Sequence, residues 1–301
     1  MPKKVALVTG GTGFTGSYLI RRLIADGWLV HAIVRPESNL RALENCLDQI
    51  KVHTHDGTTS NMVGILNIAK PDIVFNLAAL TSAQHTADNL VSLLECNIVF
   101  STQLAEAMAE NGINKIVNTG TFWQHYENRE YAPTCLYAAT KQAFEAILQY
   151  YVDAKAFKAI TLKLFDSYGP NDPRPKLFNL LKEASASKKP LLMSPGEQLI
   201  DLVYIDDVIE AFILAANRLL EGKVDGHERY AVSSGKPVKL KELVHLYEQV
   251  ANVPIFIQWG GKPYREREVM LPWSQGVPLP GWKPKVSLLD GIKAAINIYI
   301  V

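Results

Sequence analysis

The stretch Thr9-Gly10-Gly11-Thr12-Gly13-Phe14-Thr15-Gly16 decides the fold of this chain, because a strand pattern precedes it and a helical pattern follows it. Residues 5–8 form an apolar run that suits a buried strand, and residues 18–24 place apolar side chains at helical spacing. The glycines at positions 10, 13 and 16 permit a tight turn, a close approach of the backbone to a ligand, and close packing of the helix. The helix N-terminus offers backbone N–H groups and a positive dipole end to an anion. The sequence therefore predicts a strand, a phosphate-binding turn and a helix.

The same alternation of apolar runs and amphipathic helical stretches continues through the first half of the chain. The apolar runs cover residues 29–34, 51–54, 72–76, 115–118 and 160–165. Strand, helix and strand in repetition predict a parallel sheet with helices on both faces, which is a Rossmann-like doubly wound α/β fold. Ligands of such sheets bind beyond the carboxyl ends of the strands. The residues that end each strand are therefore candidates for the functional site.

From about Gly169 onward the pattern changes, because prolines become frequent and the elements become shorter. We interpret residues 1–168 as a dinucleotide-binding domain and residues 169–301 mainly as a smaller C-terminal lobe that binds the substrate. Residues of about 200–222 have the regular pattern of a strand and a helix, so we expect them to return to the main sheet.

The composition argues against several classes of function. The 301 residues include 31 Lys and Arg against 30 Asp and Glu, and the net charge of +1 contains no block of one sign that would predict nucleic-acid binding. Three cysteines without a Cys-x-x-Cys spacing argue against a disulfide scaffold and against a metal site. No segment has the roughly 18 unbroken apolar residues of a membrane span. We therefore expect a cytoplasmic protein whose ligand is a small molecule.

The end of the second predicted strand distinguishes between two dinucleotides. An acidic residue there would bind a free ribose 2′-hydroxyl, whereas a basic residue would pair with a 2′-phosphate. Arg35 occupies this position and favours NADP(H), although Glu37 nearby could still serve a ribose. Asp56 after the third strand could accept a hydrogen bond from adenine, or could be a simple turn carboxylate. The predicted cofactor contacts are Gly10, Thr12, Gly13, Phe14, Thr15, Arg35, Asp56, Gly57, Leu77, Ala78 and Ala79, together with Tyr137 and Lys141.

Tyr137 and Lys141 open a long amphipathic helix, and the interval of four residues places both side chains on one face. A tyrosine with an ordinary pKa of about 10 is a poor acid–base group at neutral pH, but an adjacent ammonium lowers that pKa. Proton exchange with a substrate oxygen then becomes feasible. The pair alone is a common pattern, but together with the glycine turn it predicts a catalytic site.

With these motifs the chain resembles the extended short-chain dehydrogenases/reductases of the NAD-dependent epimerase/dehydratase family, which act on nucleotide sugars. The resemblance covers almost the whole length, and includes Asn97 before a helix over residues 98–111, Tyr168-Gly169-Pro170, residues 203–208 and residues 281–292. It implies an enzyme with a nucleotide-diphosphate sugar as substrate, and a homodimer formed through the helices that carry Asn97 and Tyr137. It also implies a catalytic hydroxyl after the fifth strand, which alignment places at Thr121, with Thr119 as the alternative.

Within this family, residues 121–125 followed by residues 136–142 are most similar to reductases of 4-keto-6-deoxy sugars. The family's dehydratases have an acidic pair after the active-site Thr, whereas Phe122 and Trp123 follow Thr121 here. Its 4-epimerases usually carry an acidic residue after the second strand, where this chain has Arg35. The resemblance therefore implies NADPH-dependent reduction of the C4 keto group of a CDP- or dTDP-linked sugar. An epimerase or a dehydratase is the alternative, and a non-enzymatic NADP-binding regulator is a remote one.

The resemblance also implies contacts with the substrate, and at several of these positions the residue has a second interpretation or departs from the family pattern. Trp123, Gln124 and His125 are expected to line the sugar pocket, and His125 could also be a second acid–base group. Arg265 and Arg267 could clamp the diphosphate, although their alternation with two glutamates also fits a solvated charged strand. Asp166 is a further expected contact, at a position where the family often has asparagine. Ile200 stands where the family commonly has arginine, and both departures affect nucleotide-sugar contacts.

Overall fold

The structure is a computed structural model that describes residues 3–187 and 189–297. Its strands are β1 (Val5–Thr9), β2 (Leu29–Val34), β3 (Ile50–Thr54), β4 (Ile73–Asn76), β5 (Lys115–Thr121), β6 (Lys158–Leu164), β7 (Asp166–Tyr168), β8 (Leu191–Met193), β9 (Leu199–Ile200), β10 (Leu202–Tyr204), β11 (His227–Val232), β12 (Val238–Lys239) and β13 (Ile257–Trp259). Its α-helices are α1 (Phe14–Ala25), α2 (Thr59–Ala69), α3 (Leu90–Leu94), α4 (Phe100–Glu110), α5 (Leu136–Lys155), α6 (Leu177–Ser187), α7 (Ile205–Leu220), α8 (Leu240–Ala251) and α9 (Leu288–Asn297).

The central sheet is parallel and has seven strands within the described ranges, in the order β3-β2-β1-β4-β5-β6-β11. Because β1 is followed by β2 on one side and paired with β4 on the other, the strand order reverses between β1 and β4. A crevice at the carboxyl ends of the strands is the expected ligand site at such a reversal. The predicted doubly wound α/β fold is confirmed. The sequence did not predict β11, which adds the last strand beside β6.

Helices cover both faces of this sheet and bury two apolar cores. On one face α1 packs against α7, and Leu19, Leu23 and Phe212 are fully enclosed. On the other face α2, α4 and α5 pack together, with Phe144 and Leu148 in the core. Burial of each such side chain contributes roughly 1.5–3 kcal/mol. The apolar spacing of the helices therefore fixes which face of the sheet each one covers.

A row of buried polar side chains crosses the sheet just below the carboxyl ends of its strands. The Thr9 hydroxyl donates to Asn76 Oδ1 at 2.9 Å, and Asn76 Nδ2 donates to Asn118 Oδ1 at 3.2 Å. Asn118 Nδ2 in turn donates to the hydroxyl of Thr161 at 3.1 Å. Since buried polar groups must be paired, this row specifies the relative register of four neighbouring strands.

Within the described residues, the C-terminal lobe has its own small core and forms or borders three two-stranded sheets, β10-β7, β12-β9 and β13-β8. Leu181 of α6, Leu243 of α8 and Ile292 of α9 are fully buried in that core. Helix α7 and strand β11, although late in the chain, pack on the main sheet rather than in this lobe. The strand expected near residue 200 does not return to the main sheet, because β10 pairs with β7 instead. The boundary at residues 168 and 169 stays a prediction. In the described ranges, no helix combines the length and apolar character needed to cross a membrane.

The helix near Asn97 differs from the sequence interpretation. Asn97 does not precede a helix: it lies in a π-helical segment, Glu95–Val99, that joins α3 to α4 in one helical run. Its side-chain amide accepts from Leu80 N at 2.8 Å and donates to the Thr140 hydroxyl of α5 at 2.9 Å. The wider π-helical turn at Asn97 is stabilised because these hydrogen bonds hold its side-chain amide between Leu80 and helix α5.

Candidate active site

The glycine turn has the shape required to hold a diphosphate against the start of α1. Gly10 has a φ of +69°, and a Cβ at this position would lie 2.7 Å from the backbone nitrogen of Ala78. A Cβ on Gly16 would overlap the carbonyl oxygen of Gly10. Helix α1 begins after Gly13 with no side-chain cap and no acidic residue in its first turn. The turn therefore fits a nicotinamide dinucleotide, whose diphosphate the free N–H groups of α1 would bind.

One cavity of about 670 Å³, which we call the adenosine-side cavity, runs from this turn along the ends of β2 and β3. Its lining includes all the cofactor residues predicted there, namely Gly10, Thr12, Gly13, Arg35, Asp56, Gly57, Leu77, Ala78 and Ala79. Glu37 and Ser38 share the cavity with Arg35, and the Ser38 hydroxyl accepts a hydrogen bond from Arg35 N at 2.9 Å. The Asp56 carboxylate accepts from the backbone and the hydroxyl of Thr58, which hold its pKa below the usual range. Asp56 thus stabilises the local turn through Thr58, and it also lines the cavity.

A second cavity, of about 740 Å³, brings the predicted catalytic residues together on the other side of the glycine turn, and we call it the catalytic cavity. Thr119, Thr121, Tyr137 and Lys141 line it, along with Gly13, Phe14 and Thr15. Tyr137 is 8% exposed and Lys141 only 3%, although both face the cavity. Their placement follows from helix α5, which begins at Leu136 and carries both residues in its first two turns.

Burial dominates the proton affinities of the pair. It raises the pKa of Tyr137 to about 12, against smaller lowering effects of a hydrogen bond to Thr81 and the charge of Arg174. Burial also lowers the pKa of Lys141 to about 8, against opposing effects of Cys96 and Glu145. The expectation that Tyr137 has a lowered pKa is therefore wrong for this structure, because desolvation outweighs the effects that lower the pKa. A tyrosine that stays neutral at pH 7 suits proton donation.

The two threonines that end β5 face the same cavity in different ways. Thr121 caps the short 3₁₀ helix Phe122–Gln124: its hydroxyl accepts from Trp123 N at 3.3 Å. The Thr119 hydroxyl is buried and has no hydrogen-bond partner among the described residues. Each could donate to a ligand oxygen, so the alternative between them stays open.

Gln124 and His125 do not line the site, contrary to the sequence expectation. Gln124 is fully buried behind it, where it accepts from Thr121 N at 2.9 Å and donates to Glu145 of α5 at 2.8 Å. His125 stacks on Trp273 with ring centroids 3.8 Å apart, and burial lowers its pKa. Neither borders the cavities described here, so Gln124 supports Thr121 and His125 packs as a neutral ring.

Trp123 does line the catalytic cavity, and it also lines two further cavities. One, of about 710 Å³, extends into the C-terminal lobe past Asp166, Ile200 and Arg265, and the other, of about 650 Å³, passes Arg265 and Arg267. Arg265 lies 5.7 Å from the Trp123 ring and pairs with Glu268 at 2.8 Å. Arg267 lies over the ring of Tyr126 at 4.3 Å. The structure thus brings both arginines to the outer rim of the site.

Sequence reasoning missed two cations on the segment before α6. Lys176 pairs with Asp166 at 3.0 Å, and Arg174 pairs with Asp172 at 2.6 Å. Both cations line the catalytic cavity. Their alternation with prolines after Tyr168-Gly169-Pro170 is visible in the sequence, but only the folded segment shows that they face the site.

A parallel sheet with this glycine turn and a buried Tyr137–Lys141 pair defines the class of the short-chain dehydrogenases/reductases. Residues 6–230 match the sequence model of the NAD dependent epimerase/dehydratase family, and the chain belongs to that family. The resemblance inferred from the motifs is confirmed.

Several relatives align along nearly the full chain at modest identity. UDP-glucose 4-epimerase of Mycolicibacterium smegmatis is 28% identical over 97% of this chain and 97% of its own. CDP-abequose synthase of Yersinia pseudotuberculosis is 28% identical over 88% of this chain and 90% of its own. A solved structure, the UDP-glucose 4-epimerase of Thermus thermophilus in complex with NAD, has a TM-score of 0.83 at 24% identity, covering 98% of this chain and 99% of that one. At this identity the structural likeness concerns the fold.

Proposed function

We propose that this protein reduces the C4 keto group of a nucleotide-linked 4-keto-6-deoxy or 3,6-dideoxy hexose with NADPH. The product would be a deoxysugar nucleotide for polysaccharide biosynthesis. One observation carries the proposal: Asp166 is the single carboxylate lining the catalytic cavity in the described part of the chain, and it is paired with Lys176. Elimination needs a free acid and a base beside the sugar, and Phe122 and Trp123 occupy the positions after Thr121. A proton donor without such a pair favours carbonyl reduction.

The proposed chemistry assigns one role to each catalytic residue. NADPH, when bound, supplies a hydride to C4. Tyr137 donates its phenolic proton to the oxygen that develops negative charge, and Thr121 donates a hydrogen bond to that oxygen. The Lys141 ammonium then stabilises the phenolate left on Tyr137. The buried position of all three residues excludes water and strengthens these interactions.

The choice of NADPH rests on Arg35 and Ser38 in the adenosine-side cavity. A guanidinium and a hydroxyl match a 2′-phosphate, which an acidic residue at the end of β2 would repel. Glu37 lines the same cavity. A cofactor that leaves oxidised after each turnover agrees with net reduction.

For the substrate, we propose that the sugar lies against Trp123 and that a CDP or dTDP group extends toward the C-terminal lobe. Arg265, Arg267 and Lys176 would offer cations to the diphosphate along this path. Asp166 would act on the substrate through its pairing with Lys176. The relatives named CDP-abequose synthase support this substrate class. We also propose a homodimer, since Val91, Val99 and Tyr150 expose apolar surface on the helices that carry Asn97 and Tyr137.

The second candidate is a 4-epimerase with retained NAD, which the relatives named UDP-glucose 4-epimerase favour. A reductase consumes one NADPH per product, whereas an epimerase interconverts two sugars without net consumption. A non-enzymatic regulator would not need the buried Tyr137–Lys141 pair.

The test is to mix the purified protein and NADPH with CDP- and dTDP-linked 4-keto-6-deoxy sugars, with and without a 3-hydroxyl. NADPH absorbance should fall in stoichiometric proportion to a 4-hydroxy product identified by NMR. No oxidation of NADPH with any of these sugars, or conversion of UDP-glucose without added cofactor, would reject the reductase.

The matched control for this experiment is Tyr137→Phe. It should lower kcat by about 1,000-fold or more, because the proton donor is lost, while NADPH affinity changes little. An active Phe variant would remove Tyr137 from the mechanism.

A further inference from the structure

A segment of the C-terminal half lies across the glycine turn. Residues 169–176 run from β7 to α6, and the hydroxyl of Tyr18 in α1 donates to the carbonyl of Pro170 at 2.8 Å. The guanidinium carbon of Arg174 lies 4.5 Å from the ring centroid of Phe14, the first residue of α1. The side chain of Arg174 is therefore held above the start of the helix that follows the turn.

Its neighbours hold the guanidinium in one orientation. Arg174 Nε donates to Asp172 Oδ1 at 2.7 Å and Nη2 donates to Asp172 Oδ2 at 2.6 Å, which makes a bidentate pair. Nη2 also donates to the Ser167 carbonyl at 2.9 Å. The third nitrogen, Nη1, has no hydrogen-bond partner among the described residues. A planar cation held this way keeps donors available for a second anion.

The surroundings of Arg174 are those of the predicted dinucleotide. It lines the catalytic cavity together with Gly10, Gly13 and Phe14, and the glycines also line the adenosine-side cavity. A dinucleotide that spans both cavities has to place its diphosphate at these shared glycines. The charge of Arg174 also acts on Tyr137, whose pKa it lowers slightly against the effect of burial. Arg174 thus lies between the turn and the catalytic tyrosine.

We infer that Arg174 binds the diphosphate of the nicotinamide dinucleotide from the side opposite the glycine turn. The N–H groups of α1 form one wall of the anion site and the guanidinium forms the other. The inference rests on the nicotinamide cofactor included in the proposed function, and it does not depend on the keto sugar or on the choice between NADPH and NADH.

The test measures binding without substrate. Arg174→Gln should raise the Kd of NADPH and of NADH, measured by fluorescence titration, by roughly 10- to 100-fold, as expected for loss of charge-assisted hydrogen bonds. The binding of ADP-ribose, which keeps the diphosphate, should weaken by a similar factor when it is measured by calorimetric titration. Adenosine 2′-monophosphate, which lacks the diphosphate, should bind the variant as it binds the original protein. The matched control is Arg21→Gln on α1, where the guanidinium lies over the ring of Tyr18 and donates to the Ala42 carbonyl.

An unchanged Kd for both dinucleotides in Arg174→Gln would overturn the inference. Binding of adenosine 2′-monophosphate that weakens as much as binding of the dinucleotides would overturn it as well. If the Gln variant does not fold, Arg174→Lys carries the test. It keeps the charge but loses the planar fork, so the Kd should rise by about 3- to 10-fold, and no rise would overturn the inference. A protein that binds neither NADPH nor NADH before mutation would instead reject the cofactor assignment itself.

Discussion

At the scale of single residues, burial has opposite consequences for the two groups of the proposed catalytic pair, Tyr137 and Lys141. Removal of water disfavours the charged form of each group, so it raises the pKa of Tyr137 to about 12 and lowers the pKa of Lys141 to about 8. At pH 7 the site therefore holds a neutral phenol next to an ammonium. That combination can donate a proton, which is the step that reduction requires.

The same shifts predict how activity depends on pH. Lys141 is charged below pH about 8 and loses its proton above it, whereas Tyr137 stays protonated over the whole accessible range. With saturating NADPH, kcat/KM for the keto sugar should be constant from about pH 6 to 7 and fall above pH about 8. Lys141→Arg should remove the fall, because a guanidinium stays charged. A decline that begins only near the ordinary lysine pKa of about 10.4 would contradict this role of burial.

Arg35 provides a prediction on cofactor choice. Arg35→Asp should shift the ratio of kcat/KM for NADPH and NADH toward NADH by about 10-fold or more, because a carboxylate repels the 2′-phosphate and accepts from a ribose hydroxyl. Arg41→Asp is the control, since Arg41 is exposed and does not line the cavity. An unchanged ratio in Arg35→Asp would show that other residues recognise the 2′-phosphate.

At the scale of elements, contacts between backbones shape the cofactor site. The Thr9 hydroxyl accepts hydrogen bonds from Leu77 N and Ala78 N, both at 3.1 Å, and so fixes the end of β4 next to the glycine turn. Gly10 and Gly16 meet neighbouring backbone with no room for a side chain. The turn is therefore built by close approach of β1, α1 and β4.

This packing predicts different outcomes for two glycine substitutions in helices. Gly16→Ala should destabilise the fold by about 1–3 kcal/mol and weaken dinucleotide binding, because its Cβ overlaps the Gly10 carbonyl. Gly64→Ala in α2 has open space around the new Cβ and should leave stability unchanged or raise it by up to about 1 kcal/mol. Thermal unfolding with and without NADPH measures both effects. Equal melting temperatures for the two variants would argue against the close approach.

At the scale of the whole molecule, one aspartate ties the end of the chain to the main sheet. Asp207 in the first turn of α7 accepts from Lys285 N and Val286 N, both at 3.0 Å. Its carbonyl accepts from the indole nitrogen of Trp282 at 2.8 Å. These bonds position the turn that leads into α9, and α9 completes the core of the C-terminal lobe. The lobe that borders the two outer cavities is thus fastened to a helix of the main sheet.

Removal of this tie should be costly. Asp207→Ala should lower the free energy of unfolding by about 2–4 kcal/mol, because it leaves two backbone N–H groups without partners. Asp206→Ala next to it is the control, since that residue is exposed and should change stability by less than about 0.5 kcal/mol. Urea unfolding measures the difference. A loss of similar size in both variants would show that charge at the start of α7, rather than the tie, determines stability.

The features that the sequence determined by itself are those with a local cause. The glycine turn, the alternation of strands and helices, and the interval between Tyr137 and Lys141 each depend on a few neighbouring residues. Their spacing therefore predicted the fold, and it predicted that Tyr137 and Lys141 line one cavity. Arg35 could be located in the same way, because its position follows directly from the end of a strand.

The tertiary structure decided what depends on contacts between distant segments. Burial by several elements sets the pKa of Tyr137, and packing against α5 and Trp273 turns Gln124 and His125 away from the site. The fold of residues 169–176 brings Arg174 and Lys176 to the cavity from a stretch of irregular pattern. Desolvation and long-range packing leave no periodic trace in a sequence, and for that reason these parts of the site required the folded chain.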